Sequence, residues 1–234
     1  LRTMLTALFV GLFGGVGLAF LLHYLDDKIH SHEDIRQVVD YPFLTFIPDM
    51  EKEKDTRMVQ NAFRFLQGYV WMTQNSGPPV RVLMVTSPQP GEGKTFVAVN
   101  LAQTLAQVKK RVLLIEMDIH VPQLHKIFSI PRRPGLLDLR GQETPPAWDL
   151  FPAVNEYLIV IPSGATGHRR GEASPTLEGL DIRRLIRHAL ETFDYVILDT
   201  PPILAVPEAL RLVRDVQSII LVVQSGHTTR PALQ

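Results

Sequence analysis

Residues 87–100 read SPQPGEGKTFVAVN, a stretch suited to wrapping a chain of phosphates. Gly91 and Gly93 carry no side chain, so backbone N–H groups close around phosphate oxygens, and the helix that follows turns its positive end toward the anion. Lys94 brings a point charge to the outer phosphates, and Thr95 brings a hydroxyl to the Mg²⁺ that accompanies a nucleoside triphosphate. The contact segment runs from Pro90 through Gly91, Glu92 and Gly93 to Lys94, Thr95 and Phe96. A strict phosphate-loop pattern has glycine six residues before the lysine, where this chain has Pro88. A chance GxGK in a turn is the alternative, and the context of a strand before and a helix after argues against it.

Working outward, RVLMVTS (81–87) enters the loop as an apolar, β-branched run, and KTFVAVNLAQTLAQV leaves it with apolar residues at helical spacing. KRVLLIE, YLIVIP, DYVILDT and SIILVVQ read as four further strands. All are nearly continuous apolar runs, the pattern of strands covered on both faces. LDIRRLIRHALETF and PEALRLVRD read as helices between them. Alternation of this kind predicts an α/β fold like that of P-loop NTPases: a mostly parallel sheet with helices on both faces and a ligand site at the carboxyl ends of the strands.

Two of those strand ends carry acids. In LLIEMD, Glu116 and Asp118 are two residues apart and predicted to share a face. In VILDTPP, Asp199 closes an apolar strand. Carboxylates there hold a metal or take the proton of an incoming hydroxyl, which makes Lys94, Glu116, Asp118 and Asp199 the catalytic candidates and Thr95, Asp118 and Asp199 the Mg²⁺ candidates. Any one acid alone reads as a cap or a loop ion pair; three at one sheet edge beside a phosphate loop point to a site. The HRR at 168–170 reads as a solvated loop, and RRLIRH at 183–188 as the wet face of an amphipathic helix.

Lys plus Arg and Asp plus Glu each number 24, so no net basic field argues for nucleic acid, and none is expected as a partner. With no cysteine there is no disulfide, thiolate-bound zinc or thiol nucleophile. TMLTALFVGLFGGVGLAFLL, residues 3–22, holds no charge over about twenty residues, which at roughly 1.5 Å each spans a hydrocarbon core of about 30 Å. We read residues 1–25 as a transmembrane helix rather than a signal-peptide core or a buried helix. Residues 26–57 form a juxtamembrane connector, in which Pro42 and Pro48 argue against a long helix. VQNAFRFLQGYVWM is an amphipathic helix opening the main domain, 58–234. Beginning at Leu1 and ending at Gln234 just past a strand-like run, the chain reads as a fragment.

Together the apolar segment with its LDDKIHSHEDIRQVVDYPFLTFIP connector, TSPQPGEGKTFVAVNLAQTLAQ, VLLIEMDIHVPQLH and FDYVILDTPP resemble the bacterial protein-tyrosine kinases of the polysaccharide co-polymerase, or chain-length-determinant, family. That family belongs to a wider deviant P-loop group that includes chromosome-partitioning and division-site ATPases, and it relaxes the glycine that Pro88 replaces. The resemblance implies ATP and Mg²⁺ on Lys94 and Thr95, Asp118 as the second acid of a Walker A′ segment, Asp199 as the Walker B acid, and transfer of the γ-phosphate to tyrosine. It further implies a kinase domain on the inner face of a bacterial plasma membrane, in contact with lipid and with polysaccharide polymerase and export machinery. Four departures stand out. Glu116 replaces an Asp; His120 replaces an Arg; NAFRFLQ keeps only Arg64 of a Glu-x2-Arg-x2-Arg self-association motif for a ring-like oligomer, with Asn61 and Gln67 at the other positions; and the five tyrosines are scattered rather than gathered in a tail. A non-catalytic ATP-binding scaffold therefore stays open as a reading. A partition-type ATPase is disfavoured, because residues 87–92 lack the extra lysine usual there.

Overall fold

The computed structural model describes residues 11–18, 26–49, 56–75, 79–142, 144–164 and 176–233. Two compact units divide the chain: residues 1–41 with 224–234, and residues 42–223.

The larger unit is built on one six-stranded sheet, in the order β3-β4-β2-β5-β1-β6. β1 (Val82–Thr86), β2 (Val112–Glu116), β4 (Leu158–Ile161), β5 (Tyr195–Asp199) and β6 (Ser218–Leu221) are the five expected strands, all parallel to one another. β3 (Ala153–Asn155) was not expected. It pairs antiparallel with β4 at the sheet edge, and three residues that are exposed or half-buried leave no apolar run to read. β1, β2 and β5 are buried at every position, as a central strand with both faces covered must be.

Period-two alternation sorts these strands into two cores. Leu83, Val85, Leu114 and Ile197 face one side, under α3 (Thr56–Asn75) and α4 (Lys94–Gln107). Met84, Leu113, Ile115 and Val196 face the other, under α6 (Ile182–Thr192) and the 3-10 run Pro207–Asp215, where a regular helix was expected. α3 buries Val59, Ala62, Phe63, Leu66 and Val70 at helical spacing, while Trp71 is 41% exposed. Arg64 and Asn61 are exposed, but Gln67 is buried. Leu44 and Ile47 of the expected connector pack against the α3–α4 core, so part of that segment belongs to the domain.

In the smaller unit, residues 11–18 form α1, helical with every side chain exposed. The rest of the expected transmembrane segment lies outside the described residues, and among the described residues no helix is long and apolar enough to cross a membrane. α2 (His32–Val38) starts at a reciprocal cap: Asp34 N–H donates to Ser31 Oγ at 3.3 Å, and Ser31 N–H donates to Asp34 Oδ2 at 3.0 Å. Residues 224–233 run back beside it. Ile29 N–H donates to Thr228 O (2.9 Å), Gly226 N–H to Ile29 O (2.7 Å), and Arg230, which opens α7 (Arg230–Leu233), pairs with Asp34 at 2.7 Å.

Candidate nucleotide site

The exits of β1, β5 and β2 are stitched together by hydrogen bonds, and this makes the site. Thr200 N–H and Oγ1–H both donate to Val85 O (3.1 and 3.0 Å), Thr86 Oγ1 donates to Pro201 O (3.0 Å), and Ile203 N–H donates to Ser87 O (3.0 Å). On the other side Met117 and Asp118 N–H donate to Asp199 O (2.8 and 3.2 Å). The phosphate loop, the Asp199 strand end and the Glu116–Asp118 segment are therefore held as neighbours by backbone contacts.

Within the loop, Gly91 and Gly93 have φ of +85° and +87°. A Cβ at either would meet nothing within 4 Å, so the backbone angle and not crowding demands glycine. Gly93 also caps α4 with no side chain of its own, which leaves the first-turn N–H groups of that 14-residue helix facing the loop. Glu92 folds inward, its Oε2 accepting from Gln89 N–H at 2.9 Å, and so braces the loop. Phe96 turns its ring away, edge-on to Phe63 of α3 with centroids 5.7 Å apart. Its side chain holds α4 to the domain, and only its main chain lies in the first turn.

Lys94 and Asp118 are both buried and joined, Nζ to Oδ2, at 2.7 Å. The other oxygen of Asp118 accepts from Val121 N–H at 3.0 Å. Asp118 lies past the end of β2, so the irregular chain after the strand, and not the strand's alternation, aims it at the lysine.

Glu116 and Asp199 are register partners on β2 and β5, and each is 1% exposed. Glu116 accepts three main-chain hydrogen bonds: Oε1 from Gln123 (2.5 Å) and Leu124 (2.7 Å) at the start of α5 (Leu124–Ile127), and Oε2 from Ser163 (2.8 Å) just after β4. Neither oxygen of Asp199 has a hydrogen-bond partner among the described residues. Burial pushes the Asp199 carboxyl up to about 7, with Glu116 and Asp118 adding to the rise and Lys94 and the nearby Thr95 hydroxyl opposing it. A buried, unpartnered carboxylate beside a hydroxyl is a hard oxygen set that fits Mg²⁺, an ion that takes one or two protein oxygens and completes its shell with water and phosphate. No group of three or more His, Cys, Asp and Glu able to cage a metal occurs among the described residues, so an ion here depends on a bound phosphate for the remainder of its shell.

Sequence reasoning did not identify Ser163, Gln123 or Leu124, whose main-chain N–H groups occupy Glu116. Backbone donors carry no residue signature, so nothing in the sequence marked them. The HRR at 168–170 lies outside the described residues.

A P-loop sheet with its loop, lysine and buried acids at one edge defines a nucleotide-binding domain, and the comparisons agree. Residues 83–226 match the CobQ/CobB/MinD/ParA nucleotide binding domain, and the chain belongs to that family. It is 28% identical over 232 residues to "Tyrosine-protein kinase ptk" of Acinetobacter johnsonii, an alignment that covers 90% of this chain and 31% of the relative. It is 32% identical over 154 residues to "Succinoglycan biosynthesis transport protein ExoP" of Rhizobium meliloti (strain 1021), covering 65% of this chain and 20% of the relative. The chain thus spans under a third of the length of either. Among solved structures it is similar to the kinase domain of Escherichia coli tyrosine kinase ETK, with 26% identity, a TM-score of 0.65, and coverage of 88% of this chain and 79% of that one.

Proposed function

We propose that the chain is the ATP-dependent tyrosine-phosphorylating part of a membrane-tethered protein that acts in exopolysaccharide chain-length control and export. One observation carries the chemistry: Asp199 stands buried and unpartnered beside Thr95, in the layer that holds the Lys94–Asp118 pair. Likeness to a named tyrosine kinase and to a named transport protein of succinoglycan biosynthesis supports the substrate class and the setting. α1 supports the tether, since Leu12, Phe13, Val16 and Leu18 are all about half exposed or more and belong to a twenty-residue uncharged run. On this reading the domain lies on the cytosolic side of a bacterial inner membrane, where ATP is, and meets lipid, other copies of itself and the polymerase or export machinery.

The residues divide the work. Loop N–H groups and the start of α4 bind the β- and γ-phosphates; Lys94 neutralises charge that builds on the transferring group. Thr95 and Asp199 would hold Mg²⁺, which would supply positive charge to offset the negative charge of the phosphates. Asp118 is placed to receive the proton of the incoming phenol, and its pair with Lys94 orients both before substrate arrives. Glu116, with both oxygens committed to main-chain N–H groups, positions the β2–α5 turn that carries Asp118.

Incubation of the full-length protein with Mg·ATP gives phosphotyrosine, and Lys94→Ala removes it. A second reading, an ATP-binding scaffold without transfer, is favoured by the commitment of Glu116 and by the buried Gln67 in the degenerate association motif. ATP binding with no phosphotyrosine selects the scaffold.

A further inference from the structure

We propose that Tyr41 is a phosphate acceptor of this chain, a site that rests on the kinase reading above. Four of the five tyrosines are among the described residues, and they differ sharply in presentation. Tyr195 is 1% exposed in the central strand β5, and Tyr157 is half-buried against the α3–α4 core. Tyr69 is 36% exposed on α3, where a folded helix keeps its backbone from entering another protein's cleft. Tyr41 is 78% exposed, at a bend with no helix or strand from Val39 to residue 49.

Local chemistry keeps it that way. Pro42 disfavours helical angles at Tyr41 and offers no N–H of its own, and the C-cap Val39 is already extended, with φ −133° and ψ 137°. Leu44 and Ile47 pack into the core and anchor the stretch on its far side, so the tyrosine projects from a tethered but irregular segment. A kinase cleft that must bring a phenol to a phosphate deep at a strand end needs such a side chain. A phosphate on Tyr41 adds about −1.5 to −2 charge to this exposed segment.

In the transfer, the Tyr41 phenolic oxygen bonds to the γ-phosphorus of ATP as the bond from that phosphorus to the bridging oxygen breaks. ADP leaves with the electron pair, and the phenolic proton passes to Asp118 and then to water.

The tryptic peptide 37–52 contains Tyr41 as its sole tyrosine, which makes the test direct. Full-length protein, first stripped with a tyrosine phosphatase and then given Mg·ATP, is digested and its phosphopeptides are quantified. The 37–52 peptide gains phosphate to at least tenfold the occupancy of the Tyr69 peptide; EDTA or Tyr41→Phe eliminates that signal, and Tyr41→Phe leaves ATP affinity unchanged. Independently of catalysis, tetranitromethane nitrates Tyr41 in the nucleotide-free protein several-fold faster than Tyr69, Tyr157 or Tyr195. Phosphotyrosine at other positions with peptide 37–52 bare overturns the assignment and leaves the kinase reading standing. No phosphotyrosine anywhere overturns both, and slow nitration of Tyr41 overturns the exposure on which the assignment depends.

Discussion

Glu116 and Asp199 sit opposite one another on neighbouring strands, equally buried, yet three main-chain N–H groups satisfy the first and none satisfies the second. Water-starved carboxylates are costly unless something stabilises the charge. Glu116 is stabilised by the protein itself. Asp199 has no such support among the described residues, and on the proposed reading a ligand supplies it. The same sheet edge thus contains a finished structural contact and an open site one strand apart, and partner counting separates them where burial and residue type do not.

The largest test of that contrast is Asp199→Asn. In the presence of Mg·ATP it lowers phosphoryl transfer by more than about a hundredfold, measured as single-turnover phosphotyrosine formation, because the variant removes an unpartnered buried carboxylate proposed to hold Mg²⁺. In the nucleotide-free protein with EDTA the same change stabilises the fold. The Asp199 carboxyl titrates near 7 when folded and near 3.8 as an ordinary Asp, so the protein is most stable below about pH 4 with respect to this group. That stability is lost as pH climbs through 7, by up to about 4 kcal/mol for a shift of this size. Urea midpoints of the wild type and Asp199→Asn therefore coincide near pH 4 and separate in the variant's favour by pH 8. Midpoints that stay together across that range break the comparison.

Next in size is Glu116→Ala, which leaves three main-chain N–H groups, two of them buried, without an acceptor and costs about 3–5 kcal/mol by urea titration. Glu116→Gln keeps the shape and one acceptor oxygen, and costs about 1–3 kcal/mol. For a positioning role, the Gln variant transfers phosphate within about tenfold of wild type and with an unchanged pH profile. Were Glu116 instead the proton acceptor, Gln would abolish transfer at little cost to stability.

How legible each part was follows from where its signal is stored. The parallel sheet was readable because continuous apolar runs such as YVILD in β5 mark strands with both faces covered, and SPQPGEGKT was readable because glycine, lysine and threonine each have a chemical reason to stand there. Asp199 and Asp118 were readable as acids at strand ends. The role of Glu116 was not, since its partners are main-chain groups of residues 123, 124 and 163, seven to forty-seven positions away. Nor was the return of residues 224–233 to the Ile29–Asp34 region, a pairing made by local backbone bonds and the Arg230–Asp34 contact at a separation of 196 residues. One signal was present and unused: Ser31 and Asp34 have the spacing of a capping box, and α2 begins there.

The smallest effect expected sharpens the contrast from the side of the phosphate. The loop, like Asp199, presents groups that wait for a ligand, and its glycines stand at positive φ with open space around each. Gly93→Ala therefore meets no steric clash and pays only for the left-handed backbone angle, about 1–2 kcal/mol. If the loop keeps its conformation, stability measured by urea falls by that amount and ATP affinity falls by no more than about tenfold. If instead the alanine flips the Gly93 peptide to a right-handed angle, stability is regained while the N–H groups at the start of α4 turn from the phosphate, and affinity collapses. Comparing the two losses in one variant thus reports whether the open half of the site is held by backbone geometry alone, as the bonded half is held by Glu116.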